Sequence, residues 1–368
     1  MKMNELIIEK NDLLFNINEV KSKISKENYT IIGVVKGNGY GLDIVKFTNF
    51  LYENGIGFFA VASVKEALTL RKAGITAKIM ILTPFTDRII VKELIDNNII
   101  LTIDSEESAS VANEIAKLQN TKITAHIKID TGLSRFGFDY LENEKTATCI
   151  KSCDMINFEG IYSHFSNSLA RDDSWSKEQY SRFCETLVFL ENHGITFALK
   201  HICNSSGFFK YPEMHLNCAR IGSAFSGLAT GCETNLKKIG LFHTKLIKIR
   251  ELKKGDFVGY GNSYTVKKKK QRIGILPTGY FDGIGKTLES QRFKFLSKFK
   301  RCLIDFKNCF KDDSMYLTIK GKKFKILGQI GMHDVVIDLG RKDFKENDDV
   351  YFYFRPNFID SSIERIYK

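Results

Sequence analysis

"VVKGNGYGLD", Val34 to Asp43, follows "YTIIG" and closes an apolar run with a single lysine. An apolar, β-branched run stopped by glycines reads as a buried strand entering a tight, backbone-exposing turn. Lys36 lies where that strand stops. Behind the turn comes "IVKFTNFLYENG" (Ile44 to Gly55), amphipathic at helical spacing and ending in glycine. The stretch is one strand, one turn and one helix, so the number of times this unit recurs decides the fold.

It recurs through the first two-thirds of the chain. Further strand candidates are "FFAVAS" (58–63), "KIMILT" (78–83), "IILTI" (99–103), "KITAHIKI" (122–129), "NFEGIYSHF" (157–165), "FALKHIC" (197–203) and "HLNCARIG" (215–222). Between them lie helical patterns such as "VKEALTLRKAG", "RIIVKELIDNN", "EESASVANEIAKLQ" and "KEQYSRFCETLVFLENHG". Parallel neighbours need crossover helices, so eight such units in sequence predict an α/β barrel, a TIM-like (β/α)8 fold, with the last helix least marked. After about Thr230 the text turns β-type with Lys-Gly and Gly-Asp turn signals, as in "HTKLIKIRELKKGDFVGYGNSYTV" and "MYLTIKGKKFKILGQI". The expected organisation is a barrel over residues 1–232 and a C-terminal all-β domain over residues 233–368.

Composition agrees with this size. A chain of 368 residues with 43% apolar residues can bury two cores and is not disordered. The amino-terminal "MKMNELIIEKND" has no apolar signal region and no window approaches a membrane span, so a cytoplasmic protein with no membrane partner is expected. Eight cysteines without a signal peptide argue for reduced thiols, and Cys149 with Cys153 and Cys302 with Cys309 lack the companions of a metal site. No metal is expected. The net charge of +12 and the run "VKKKKQR" come without base-stacking aromatics or a recognised nucleic-acid motif, so the partner class is anionic small molecules and not nucleic acid.

In a barrel of this kind chemistry sits at the C-terminal strand ends. Lys36 ends the first strand, Lys128 lies in the fifth with Arg135 after it, and His164 ends the sixth. Asn204 and Ser205 follow the seventh strand, while Arg220, Gly222 and Ser223 close the eighth. Each has an ordinary reading: a snorkelling lysine, a core histidine, a surface arginine, a helix-capping serine. A buried Lys128 is harder to set aside, because an unpaired ammonium away from water is costly. Hydroxyls and backbone N–H groups after the seventh and eighth strands make a phosphate cradle beside a strand-end lysine. A phosphorylated carbonyl compound that forms a Schiff base with lysine, pyridoxal 5'-phosphate, fits that combination.

These residues carry a resemblance over nearly the whole chain. "VVKGNGYG", "HIKIDTGLSRFG", "IYSHF", "HICNSS" and "ARIG" in the first part, then "VGYGNSY", "LPTGYFDG", "GQIGMHDVVIDL" and "ERIYK", resemble in order the motifs of the alanine racemase family. The resemblance implies a homodimeric racemase that supplies D-alanine for peptidoglycan. Lys36 would bind the cofactor and act as one base, and Tyr260 from a second copy as the other. Tyr40, Ser205, Tyr353, Gly222 and Ser223 would hold the phosphate, with Asn204 and His164 beside the cofactor and Arg220 at its pyridine nitrogen. Arg135 would touch the cofactor's phenolic oxygen and, with the backbone of Met332 from the second copy, the substrate carboxylate; Lys128, carbamylated in many relatives, would orient Arg135, and Tyr280 would line the entrance.

The chain departs from the family at Gly37, Gly39 and Leu42, where alanines and a histidine are usual, and at His333, where aspartate is common. The segment between Gly283 and Gly328 is also longer. These changes keep serine or a broader set of amino acids open as substrates. A barrel-type pyridoxal-phosphate decarboxylase would show a glycine-rich phosphate loop and a cysteine motif that are not evident, and a carrier protein of similar barrel would end near residue 230.

Overall fold

A computed structural model describes residues 4–286, 315–319 and 321–368. The chain divides into two compact units, Lys10–Lys238 and Met1–Glu9 with Ile239–Lys368. In the first unit eight parallel strands run in order: Thr30–Val34, Phe58–Val61, Lys78–Ile81, Ile99–Ile103, Ile123–Asp130, Ile156–Tyr162, Leu199–His201 and Cys218–Ile221. Each pairs with its sequence neighbour, and the eighth pairs with the first from Cys218 opposite Thr30 to Ile221 opposite Gly33, which closes the barrel. Phe58–Val61, Ile99–Ile103 and Cys218–Ile221 are buried at every position, as strands covered on both faces must be.

Helices cover the outside because one face of each is apolar. Ile44–Glu53 buries Ile44, Phe47, Thr48 and Leu51, the spacing of a single helical stripe. Its start is fixed by Asp43, whose carboxylate accepts from Val45 and Lys46, and Val64–Lys72 starts with a capping box between Ser63 and Glu66. The weakly marked eighth helix is supplied from elsewhere in the chain. Lys10–Ser22, ahead of the first strand, takes that place: the Asn16 amide donates to the carbonyls of Phe225 and Lys237 and accepts from the Lys237 N–H.

The second unit is β-structure. A six-stranded sheet runs Lys322–Lys325, Tyr316–Ile319, Asp349–Tyr353, Leu241–Lys245, Glu5–Ile8, Glu364–Tyr367. A second sheet joins Lys248–Lys253, Lys270–Leu276 and Val335–Asp338. Glu5–Ile8 corrects an expectation, since residues 1–9 had been placed with the barrel. This strand instead pairs with Leu241–Lys245 on one side and Glu364–Tyr367 on the other. A closed barrel has no edge to offer a ninth strand, whereas these two strands each present one. The basic-aromatic text at 292–310, with Cys302 and Cys309, lies outside the described residues. Among the described residues no helix is long and apolar enough to cross a membrane, and no group of three potential metal ligands occurs.

Candidate active site

The three glycines after Lys36 are explained by the backbone they adopt. Gly37, Asn38, Gly39, Tyr40 and Gly41 have φ of 64°, 53°, 66°, 54° and 81°, a full turn of left-handed helix. That conformation costs roughly 1–2 kcal/mol for a residue with a Cβ and least for glycine, with asparagine the next most tolerant. The turn is closed by Gly39 N–H to Val35 O and Gly41 N–H to Gly37 O, both 2.9 Å. Asn38 Oδ1 accepts from Ile44 N–H at 3.0 Å, tying the turn to the next helix. Tyr40 then reaches the loop after the eighth strand. A Cβ on Gly222 would lie 2.6 Å from the Tyr40 hydroxyl, so only glycine fits beneath the ring.

Tyr40 and Gly222 form one wall of a cavity of about 300 Å³ at the C-terminal strand ends. All ten barrel residues picked from the sequence line it: Lys36, Tyr40, Lys128, Arg135, His164, Asn204, Ser205, Arg220, Gly222 and Ser223. Ser205 Oγ accepts from the N–H groups of Gly222 and Ala224. Ser205 does not cap the following helix. Asn204 does, with its Oδ1 accepting from Gly207 N–H at 2.9 Å, so the serine faces the cavity.

The cavity contains four cationic side chains and no carboxylate. Burial, then Arg135 and Arg220, push the Lys36 amine below the ordinary lysine value, while Glu66 works the other way. Lys128 is 3% exposed, its ammonium 4.6 Å from the centre of the Tyr162 ring. Burial, then Arg220 and Arg135, bring it down to about 7. Such a site suits an anionic ligand.

Arg220 is held by His164 and by two partners that the sequence does not mark, His201 and Ser163. Its guanidinium donates to Nδ1 of His201, to Nδ1 of His164 at 2.9 Å and to the carbonyl of Ser163 at 2.7 Å. A guanidinium only donates, so both histidines accept at Nδ1 and carry their proton on Nε2. Burial, with Arg220 next, holds both far below the usual histidine range, and they are neutral. His201 Nε2 continues to Nδ1 of His126 at 2.9 Å, and His126 Nε2 faces Glu159 at 3.8 Å, itself paired with Lys78. Gly160 makes this possible, because a Cβ there would lie 2.5 Å from the His126 ring. Gln179 fixes the rim by donating to the His164 carbonyl and accepting from Ser166 N–H. His126 stands two before Lys128 on one strand and so shares its inward face, a spacing that places the ring but does not name its partners.

Tyr260, Tyr280, Met332 and Tyr353 lie in the second unit. Tyr260 opens a short 3-10 turn between Gly259 and Gly261, both at positive φ, and is 74% exposed. Tyr280 N–H donates to Gly331 O and Phe281 N–H to Met332 O, which brings Tyr280 and Met332 side by side, both about half exposed. Tyr353 ends the strand Asp349–Tyr353, opposite Leu241, and burial raises its phenol.

Comparison with known proteins finds one family over most of the chain. Residues 8–230 match the family described as alanine racemase, N-terminal domain, and residues 240–363 the alanine racemase C-terminal domain. The alanine racemase of Desulforamulus reducens is 30% identical over 92% of this chain and 86% of its own length. That of Clostridium tetani is 32% identical over 79% of this chain and 76% of its own. The solved alanine racemase of Clostridium difficile 630 superposes with a TM-score of 0.87 at 25% identity, covering 100% of this chain and 96% of that one.

Proposed function

Because the chain belongs to the alanine racemase family, whose members are pyridoxal-phosphate-dependent isomerases, we propose that it interconverts L- and D-alanine and so supplies D-alanine for peptidoglycan. The observation that carries the reading is a burial-weakened lysine amine in a cavity with four cations and no carboxylate. The residues present fit pyridoxal phosphate. Tyr40, Ser205, Ser223 and the bare backbone of Gly222 would hold the phosphate, Lys36 the carbonyl carbon and Arg220 the pyridine nitrogen, with Asn204 and His164 alongside. Tyr353 is assigned to the phosphate by resemblance. When bound, this cofactor supplies a conjugated sink for the electron pair left as the substrate Cα loses its proton.

The chain's own residues then move that proton. Lys36 Nζ, with its lowered affinity for a proton, takes it from one face of Cα, and the Tyr260 hydroxyl of a second copy returns one to the opposite face. Racemisation in the other direction exchanges the two roles. Neutral His164 carries its proton on Nε2, the donor that would stabilise the Tyr260 phenolate. Arg135, together with the Met332 backbone of the second copy, would hold the substrate carboxylate, and Tyr280 would border the entrance. Lys128 keeps a large neutral fraction near pH 7, and as a carbamate it would orient Arg135.

The test is chiral chromatography after incubation with a panel of L-amino acids. D-alanine should form first, and borohydride should trap the cofactor on Lys36. A larger yield of D-serine moves the assignment to serine, and normal racemisation by Lys36→Ala overturns it.

A further inference from the structure

Glu66 is not in the cavity lining, yet it touches the two segments that place Lys36. It sits in the first turn of Val64–Lys72, the helix after the second barrel strand, and is half-buried. One carboxylate oxygen accepts from the N–H groups of Ala62 (3.0 Å) and Ser63 (3.2 Å). The other accepts from Gly37 N–H at 2.6 Å and Asn38 N–H at 3.4 Å. All four facing groups are donors, which matches a carboxylate in its acceptor-only form. Gly37 and Asn38 open the left-handed turn, and the first N–H groups of any helical turn lack partners inside it. The same side chain thus caps two helical starts, one right-handed and its own, the other left-handed and begun at Gly37, 29 residues before Glu66.

The position also matters for charge. Lys36 is faced by Arg135 from the loop after the fifth strand and by Arg220 from the eighth, with Lys128 and His164 on the fifth and sixth and Tyr40 on its own turn. The two arginines act against its ammonium, and Glu66 acts for it.

We infer that Glu66 is a positioning residue for Lys36: it clamps the turn that leaves this lysine and sets a negative charge against the two arginines' influence, fixed there by the four N–H bonds to its carboxylate. This rests on Lys36 being the catalytic amine, but its test does not. Without the clamp, Gly37–Gly41 would lose the acceptor at its first two N–H groups and keep its backbone bonds and the Asn38–Ile44 bond. Without the charge, the two arginines would act on the lysine unopposed.

The experiment follows acetylation of Lys36 against pH by mass spectrometry in cofactor-free protein, so neither substrate nor racemase activity enters. Glu66→Gln should move the Lys36 midpoint to lower pH. Ser63→Ala, which deletes the reciprocal capping bond and keeps the carboxylate, should lower the melting temperature and leave the midpoint in place. Equal loss of stability in both variants with an unmoved midpoint would make Glu66 a helix cap only and overturn the inference. If Glu66→Gln does not fold, Glu66→Asp keeps the charge but shortens the reach. Amide exchange at Gly37 and Asn38 should then quicken and the midpoint fall part of the way, and no change in either overturns the clamp. Borohydride labelling of the holoenzyme tests Lys36 itself, so failure of one reading is separable from failure of the other.

Discussion

Lys128 shows how a single residue is legible in sequence and what the structure adds. A lysine between isoleucines on a predicted strand stands out because its charge has no obvious place to go. The structure answers with burial and, after it, Arg220 and Arg135, which together bring the ammonium down to about 7 from 10.5, while the Tyr162 ring beneath it favours the charge. The unfolded chain keeps that proton up to about 10.5, so between pH 7 and 10.5 the unfolded state binds more protons and stability rises with pH. Below pH 7 the folded chain carries the full cost of a buried ammonium. Lys128→Met should therefore be the more stable protein at pH 6.5 in bicarbonate-free buffer, by up to about 5 kcal/mol at roughly 1.4 kcal/mol per pKa unit. The advantage should fade towards pH 10.5. Urea midpoints at three pH values decide it, and a difference independent of pH would show that the ammonium carries no such cost. His201 and His126 were not legible in this way. Their roles depend on Arg220 and Glu159, brought together only when the barrel closes, and no local pattern in the chain records that meeting.

At the level of elements, local chemistry specified most of the barrel. The eight strands were visible as β-rich runs alternating with amphipathic helical patterns, and the structure adds the caps that start two of those helices, Asp43 and Ser63. What escaped was partner choice. The helix Lys10–Ser22 and the strand Glu5–Ile8 are ordinary segments whose places are set by a vacancy beside the eighth strand and by two open sheet edges. The turn Gly37–Gly41 lies between these cases: its glycines announced unusual backbone, and the structure shows which kind. A Cβ on Gly37 would meet nothing within 4 Å, whereas one on Gly39 would press to 3.2 Å against the Ile44 backbone. Gly37→Ala should accordingly lose only the backbone term, about 1 kcal/mol, and Gly39→Ala more. Denaturant unfolding reads both, and a Gly37→Ala protein as stable as the parent would mean that the turn is not strained.

For the whole molecule the proposed chemistry needs groups from both units: Lys36 in Lys10–Lys238, Tyr260 in Ile239–Lys368. A phenol 74% exposed, and neighbours Tyr280, Phe281 and Met332 at 46%, 53% and 49%, leave aromatic and apolar side chains open to a second copy. If the bases come from different copies, a complete site needs Lys36 of one chain and Tyr260 of the other, and a two-fold dimer holds two such sites. Lys36→Ala and Tyr260→Phe chains should each be inactive alone. Co-expressed with different tags and purified as the mixed dimer, they place both damaged groups in one site and leave the other whole. About half the wild-type turnover per dimer should return, because one of two equivalent sites is intact. If Lys36 and Tyr260 of the same chain worked together, both sites of the mixed dimer would each lack one base and no turnover would return. The mixed dimer therefore distinguishes a shared site from a self-contained one without a structure of the assembly, and it does so with variants whose separate inactivity is already required by the two-base mechanism.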